Sequence, residues 1–148
     1  MRVRRCVHYW WFGSAALLAT LFFCGQEEGS GSLVPAGGAG ISVVYFHTMH
    51  RDPTCHKIES LTRTALRQSW PARVDDGTLV FFLRDIDRRE NRHYVADYRL
   101  TTRSVVITRW EEGESVEWRN LERIYDLVAV PEQFQGYVVS EIAAMLAR

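Results

Sequence analysis

Apolar positions fall into two regimes along the chain. Residues 6–25 are uncharged and mostly apolar, whereas from residue 41 onward short apolar runs and spaced stripes alternate with turn residues. Residues 41–46 read I-S-V-V-Y-F, a β-branched and aromatic run suited to a strand buried on both faces. Residues 47–51 then form a loop, and Asp52-Pro53 starts a helix, with Asp as N-cap and Pro at the first helical position. Ile58, Leu61, Ala65 and Leu66 recur at spacings of three and four, so this stripe faces a core while Lys57, Arg63 and Arg67 face water. The helix ends before Pro71. Asp75-Asp76-Gly77 marks a turn, and residues 78–83 (T-L-V-F-F-L) form a second buried strand, completing a βαβ unit.

Asp85-Ile86-Asp87 ends that strand. Residues 90–98 suggest a short helix with Tyr94, Val95 and Tyr98 inward, and residues 104–108 (S-V-V-I-T) form a third strand. Glu111-Glu112-Gly113-Glu114 is a hairpin turn leading into an edge strand at residues 116–118. Asn120 caps a helix running through Val128. Pro131 opens a last helix, on which Phe134, Val138, Ile142 and Met145 make an apolar stripe. The order β-α-β-α-β-β-α defines an α/β domain over residues 41–148, with a central mixed sheet flanked by helices.

The 148 residues suit one domain, and 47% apolar with 24% charged residues is ordinary globular composition. Lys+Arg and Asp+Glu are both 18, and no block of like charge occurs, so nucleic acid is not expected as a partner. The N-terminal region does change the picture. Arg2, Arg4 and Arg5 precede the apolar run, so residues 1–25 are expected to be a signal peptide or an N-terminal membrane anchor with its arginines on the cytoplasmic side. Leu21-Phe22-Phe23-Cys24-Gly25 resembles a bacterial lipobox, which would put lipid on Cys24. The expected setting is extracytoplasmic: periplasmic, or held at the inner membrane by residues 6–25 or by that lipid. Residues 26–40, rich in Gly, Ser and Glu, would be a flexible linker.

The loop after the first strand carries Asp52-Pro53-Thr54-Cys55, at the opening of the first long helix. Val44-Tyr45-Phe46-His47 with Arg51-Asp52-Pro53-Thr54-Cys55-His56-Lys57-Ile58-Glu59 resembles a family of small exported thioredoxin-like proteins, often labelled a nitrophenyl-compound nitroreductase subunit. The resemblance runs on through Asp97-Tyr98, residues 102–106, Trp118-Arg119-Asn120-Leu121 and residues 134–137. It implies a thioredoxin-like fold and kinship with redox proteins. The family loop reads R-C-P-T-C, so Asp52 replaces the first cysteine, and Arg103-Ser104 stand where thioredoxins place a cis-proline.

Two kinds of chemistry are open to this loop. In a C-x-x-C enzyme the first thiolate attacks a disulfide and the second cysteine resolves the intermediate. Cys55 holds the second position, so it can form only a mixed disulfide with an external thiol, on a protein substrate or an envelope partner. Helix N-terminal amides favour an anionic sulfur, whereas the Asp52 carboxylate opposes it. The plainer alternative makes Asp52 an N-cap and Cys55 a half-buried remnant of a dithiol. Metal is the other chemistry, since His47, His50, Asp52, Cys55 and His56 lie within ten residues and imidazole with thiolate suits copper or zinc. Cys55 and His56 point about 100° apart on a helix, which leaves His47 or His50 with Cys55 as the ligand set. Glu111, Glu112 and Glu114 read as turn residues and Asp85 and Asp87 as strand-end caps. Trp70, Trp110 and Trp118 read as core or edge cover, with Trp110 and Trp118 able to line a patch for a partner. Two classes follow: a single-thiol redox protein of the envelope, and a non-catalytic module that binds a metal or a protein.

Overall fold

The structure, a computed structural model, describes residues 31–148. Its centre is β1 (Gly40–His47), followed by α1 (Pro53–Ser69), a one-turn α2 (Pro71–Asp75), β2 (Leu79–Asp85), α3 (His93–Asp97), β3 (Ser104–Glu111), β4 (Glu114–Asn120), α4 (Ile124–Leu127) and α5 (Pro131–Leu146). The four strands form one sheet in the order β2-β1-β3-β4. β2 runs parallel to β1, from Ile41 opposite Leu79 to His47 opposite Asp85, and β3 runs antiparallel on the other side, with Phe46 opposite Ser104. This is the expected mixed sheet. The β1–β2 approach is close at its start: a side chain at Gly40 would put Cβ 2.1 Å from the Thr78 carbonyl oxygen, and only glycine fits.

Central placement explains the apolar run of β1, because a strand with neighbours on both edges and cover on both faces has no wet side. Val43 and Tyr45 join Cys55, Ile58, Phe134, Val138 and Ile142 on the face covered by α1 and α5, while Val44 and Phe46 meet Leu33, Tyr98, Leu100 and Val106 on the other. On α5 the predicted stripe is fully buried, and each such side chain contributes roughly 1.5–3 kcal/mol of transfer free energy. The β3–β4 hairpin turns on Glu112 (φ 52°) and Gly113 (φ 84°), the double positive φ of a two-residue turn whose twist matches its strands.

Several expectations need correction. β2 is an edge strand, partly open from Val80 to Leu83, since no strand covers its outer side. The 90–98 helix is a 3-10 turn (Arg89–Asn91) followed by the five residues of α3; Tyr98 points inward and Val95 is exposed. Asn120 does not cap a helix. It ends β4 opposite Val106, so sheet pairing overrides its capping propensity, and α4 is a single turn after Arg123. Of the stretch expected to be linker, residues 31–40 lie against the domain: Leu33 is buried, Ala36 N–H donates to Gly77 O at 3.2 Å, and Gly38 O accepts from Gly113 N–H at 2.7 Å. The Gly31 carbonyl accepts from buried Arg84 at 2.9 Å. The expected signal or anchor at residues 1–25, including Cys24, lies outside the described residues, among which no helix is long and apolar enough to cross a membrane.

Candidate functional site

The site forms where the end of β1, the start of α1 and the loop before β3 meet. Asp52, extended at φ −86° and ψ 172°, caps α1 as expected: its Oδ1 accepts the Cys55 N–H at 2.9 Å, and Pro53 occupies the first helical position. That hydrogen bond fixes Cys55 as the third helical residue, with its side chain turned under the helix into the core. Cys55 is a free thiol with 0% exposure.

Antiparallel pairing of β3 with β1 sets Ser104 beside Phe46, so the residue just before β3 arrives at the mouth of the same loop. That residue is Arg103. Its Nη1 donates to Asp52 Oδ2 at 2.9 Å and lies 2.7 Å from Cys55 Sγ, so one nitrogen bridges the carboxylate and the sulfur. The Cys55 N–H and the Arg103 guanidinium hold the Asp52 carboxyl down at about 2, and the Asp52 carboxylate in turn pushes Arg103 further up. Asp52 is therefore a fixed anion near neutral pH, unable to trade protons. Arg103 and Asp52 also line an open groove with Thr48, His50 and Arg51.

Beneath the sulfur lie two phenols. Tyr45 from β1 is fully buried and its hydroxyl has no hydrogen-bond partner; the Tyr125 hydroxyl from α4 is also buried and without one. Burial, then the neighbouring Cys55 and Tyr125, pushes Tyr45 far above the usual phenol range, and burial also raises Tyr125. Both phenols therefore keep their protons near neutral pH.

The other candidates lie apart from this cluster. His47 is a buried strand residue instead of a loop residue. Its Nδ1 lies 2.9 Å from Thr48 O, its Nε2 has no partner, and its ring centre is 6.0 Å from that of Tyr45. His50 and His56 are exposed. Among the described residues no three His, Cys, Asp or Glu side chains converge to hold a metal ion. Glu111 pairs with Arg109. Asp85 faces Arg88 at 3.8 Å and accepts from Asp87 N–H at 3.0 Å, and Asp87 in turn accepts from Met49 N–H at 2.9 Å, so both pin the loops flanking the site. Trp110 Nε1 donates to Ser42 Oγ at 2.8 Å, and Trp118, an exposed aromatic, meets Tyr98 edge-on.

Sequence reasoning placed Cys55 and Asp52 correctly at the start of α1 but gave Arg103, Tyr45 and Tyr125 no role. Arg103 left one trace, its position ahead of the third strand where this topology faces a loop toward the helix start. The strand order, with α1 leaving the end of central β1 and a β3–β4 hairpin followed by α5, defines an α/β domain of thioredoxin-like fold. No protein-family model and no curated protein matches the chain. Among solved structures, a solution structure of a thioredoxin from Thermus thermophilus is similar at 18% identity and TM-score 0.33, over 61% of this chain and 72% of that one.

Proposed function

We propose that this thioredoxin-like protein is a single-thiol redox protein of the cell envelope, acting through Cys55 with Arg103 as the partner of its sulfur. The observation that carries this reading is the bridge from Arg103 Nη1 to Asp52 and to Cys55 Sγ at 2.7 Å. A guanidinium hydrogen-bonded to sulfur is a counter-charge suited to a reacting thiolate. Reaction at Sγ requires this side chain to leave the sulfur, since Cys55 itself has no exposed surface. Asp52, fixed as an anion and N-cap, stands where a dithiol enzyme has its attacking cysteine, so the expected chemistry stops at a mixed disulfide. The Cys55 thiolate displaces one sulfur of a disulfide, the other leaves as a thiolate, and a second external thiol must release the adduct. The envelope setting is supported by the charged and apolar pattern of residues 1–25 and by the resemblance to the exported family labelled a nitroreductase subunit; the label itself adds no residue to this site.

The alternative, a non-catalytic module binding copper, zinc or a partner protein, draws on the unpaired Nε2 of buried His47. Incubating the native chain with cystamine and mapping adducts by peptide mass separates the two. The single-thiol reading expects one cysteamine adduct on Cys55, removed by dithiothreitol and absent from Cys55→Ser. Cys55 left unmodified in the folded chain overturns it.

A further inference from the structure

We propose that the face formed by the 3-10 turn, α3 and the far end of β4 rests on an anionic lipid surface, with Arg89, Arg92 and Arg99 on the headgroups and Val95 and Trp118 at the interface. The proposal rests on the envelope setting of the preceding reading, independently of the chemistry at Cys55, and adds to it how the domain is held.

The first observation is where the chain enters the domain. Arg84, near the end of β2, donates to the Gly31 carbonyl at 2.9 Å, and Leu33 packs with Tyr98 and Leu100 on the α3 side of the sheet. The carbonyl of the next β2 residue, Asp85, accepts from Asn91 Nδ2 of the 3-10 turn at 2.9 Å. Residue 31 therefore enters beside the 3-10 turn and α3, on the side of the sheet opposite α1 and α5. With residues 6–25 in the bilayer, residues 26–30 reach at most about 20 Å, so this face is the one held close to the membrane.

The second observation is the chemistry of that face. Residues 88–99 carry Arg88, Arg89, Arg92 and Arg99 against Glu90 and Asp97, and Asp97 faces His93 at 3.9 Å. Arg89, Arg92 and Arg99 are exposed and form no ion pair with another described residue. Val95 among them is 37% exposed, and Trp118, equally exposed, meets Tyr98 with ring centres 5.5 Å apart. Tyr98 directly follows α3, so both apolar side chains belong to the side of the sheet that bears the arginines. Guanidinium groups pair with phosphates, arginines near an anionic leaflet are drawn to it, and tryptophan favours the headgroup layer. The opposite end of the sheet, at Glu111-Glu112-Gly113-Glu114, is acidic and is repelled by the same surface, which sets the orientation.

The test uses the full chain carrying Val95→Cys and, as an internal reference, Gln68→Cys on the exposed side of α1. The chain is bound to vesicles of phosphatidylcholine, or of equal parts phosphatidylcholine and phosphatidylglycerol, and alkylation by neutral iodoacetamide is read at both positions by peptide mass. Each arginine at an anionic surface biases docking about fivefold, so the rate at position 95 relative to position 68 should fall about tenfold or more with phosphatidylglycerol and stay unchanged in phosphatidylcholine. Arg89→Glu with Arg92→Glu should restore it, and so should about 1 M salt, which needs no arginine substitution. A chain that floats with both vesicles and shows the same ratio in each keeps the envelope setting and overturns this inference. Protection that survives the salt also overturns it, since lipid charge would then play no part. A chain that floats with neither vesicle overturns the membrane setting and this inference together.

Discussion

Removing the Tyr45 hydroxyl should make the protein more stable, although it deletes a polar atom from the centre of the candidate site. Tyr45 is completely buried and its hydroxyl has no partner, so the folded state bears a desolvation cost that the unfolded chain in water does not. Leaving a buried donor unsatisfied costs about 1–3 kcal/mol. Phenylalanine keeps the ring and leaves a gap of about one oxygen atom, returning roughly 0.3 kcal/mol of that gain at about 24 cal/mol per Å³ of cavity. The net expectation for Tyr45→Phe is a stabilisation of about 1 kcal/mol. In urea unfolding, with a slope of about 2 kcal/mol/M for a chain of this size, the midpoint moves up by about 0.5 M at unchanged slope. A lower midpoint in Tyr45→Phe would refute the reasoning, because the hydroxyl would then be making a bond that stabilises the resting fold.

Three further outcomes follow from the same geometry. Asp52→Cys places two sulfurs three residues apart at the start of α1, within bridging reach, and should form an intramolecular disulfide with exchange activity that wild type lacks; peptide mass under non-reducing conditions reads it. The Asp52 carboxyl is lowered from 3.8 to about 2, so its contribution to stability is complete above pH 4 and is lost as pH falls through about 2. Unfolding scans from pH 5 to pH 2 should therefore show wild type losing its advantage over Asp52→Asn within that window. Residues 1–40 fused to a reporter active only after export should give activity, and a reporter retained in the cytoplasm would remove the envelope setting.

The parts of the fold that could be read from sequence are those whose signals are local. Asp52-Pro53 is a helix start in any context, and the residue stripe Phe134, Val138, Ile142 and Met145 needs only a core to face, so α1 and α5 stand as expected. The apolar run at 41–46 matches β1 within one residue at either end. Where long-range pairing decides, local reading fails. Asn120 carries a capping side chain but is recruited into β4 by Val106, and Leu33 sits in a stretch of linker composition yet fills a gap beside Phe46 and Tyr98. The site divides along the same line. Asp52 and Cys55 are three residues apart and visible together, whereas Arg103 reaches them across 51 and 48 residues, a contact made only when β3 lies down beside β1. Tyr45 read as strand filler because nothing local shows that its hydroxyl ends beside a sulfur.

Whether Arg103 and the Cys55 sulfur act on one another in the folded protein is measured directly by a double-mutant cycle. Urea unfolding of wild type, Arg103→Gln, Cys55→Ala and the double variant yields their coupling energy. A real hydrogen bond between guanidinium and sulfur predicts a favourable coupling of about 1 kcal/mol, whereas costs that add within about 0.3 kcal/mol would show that the two groups are only neighbours and that Arg103 is no partner of the sulfur.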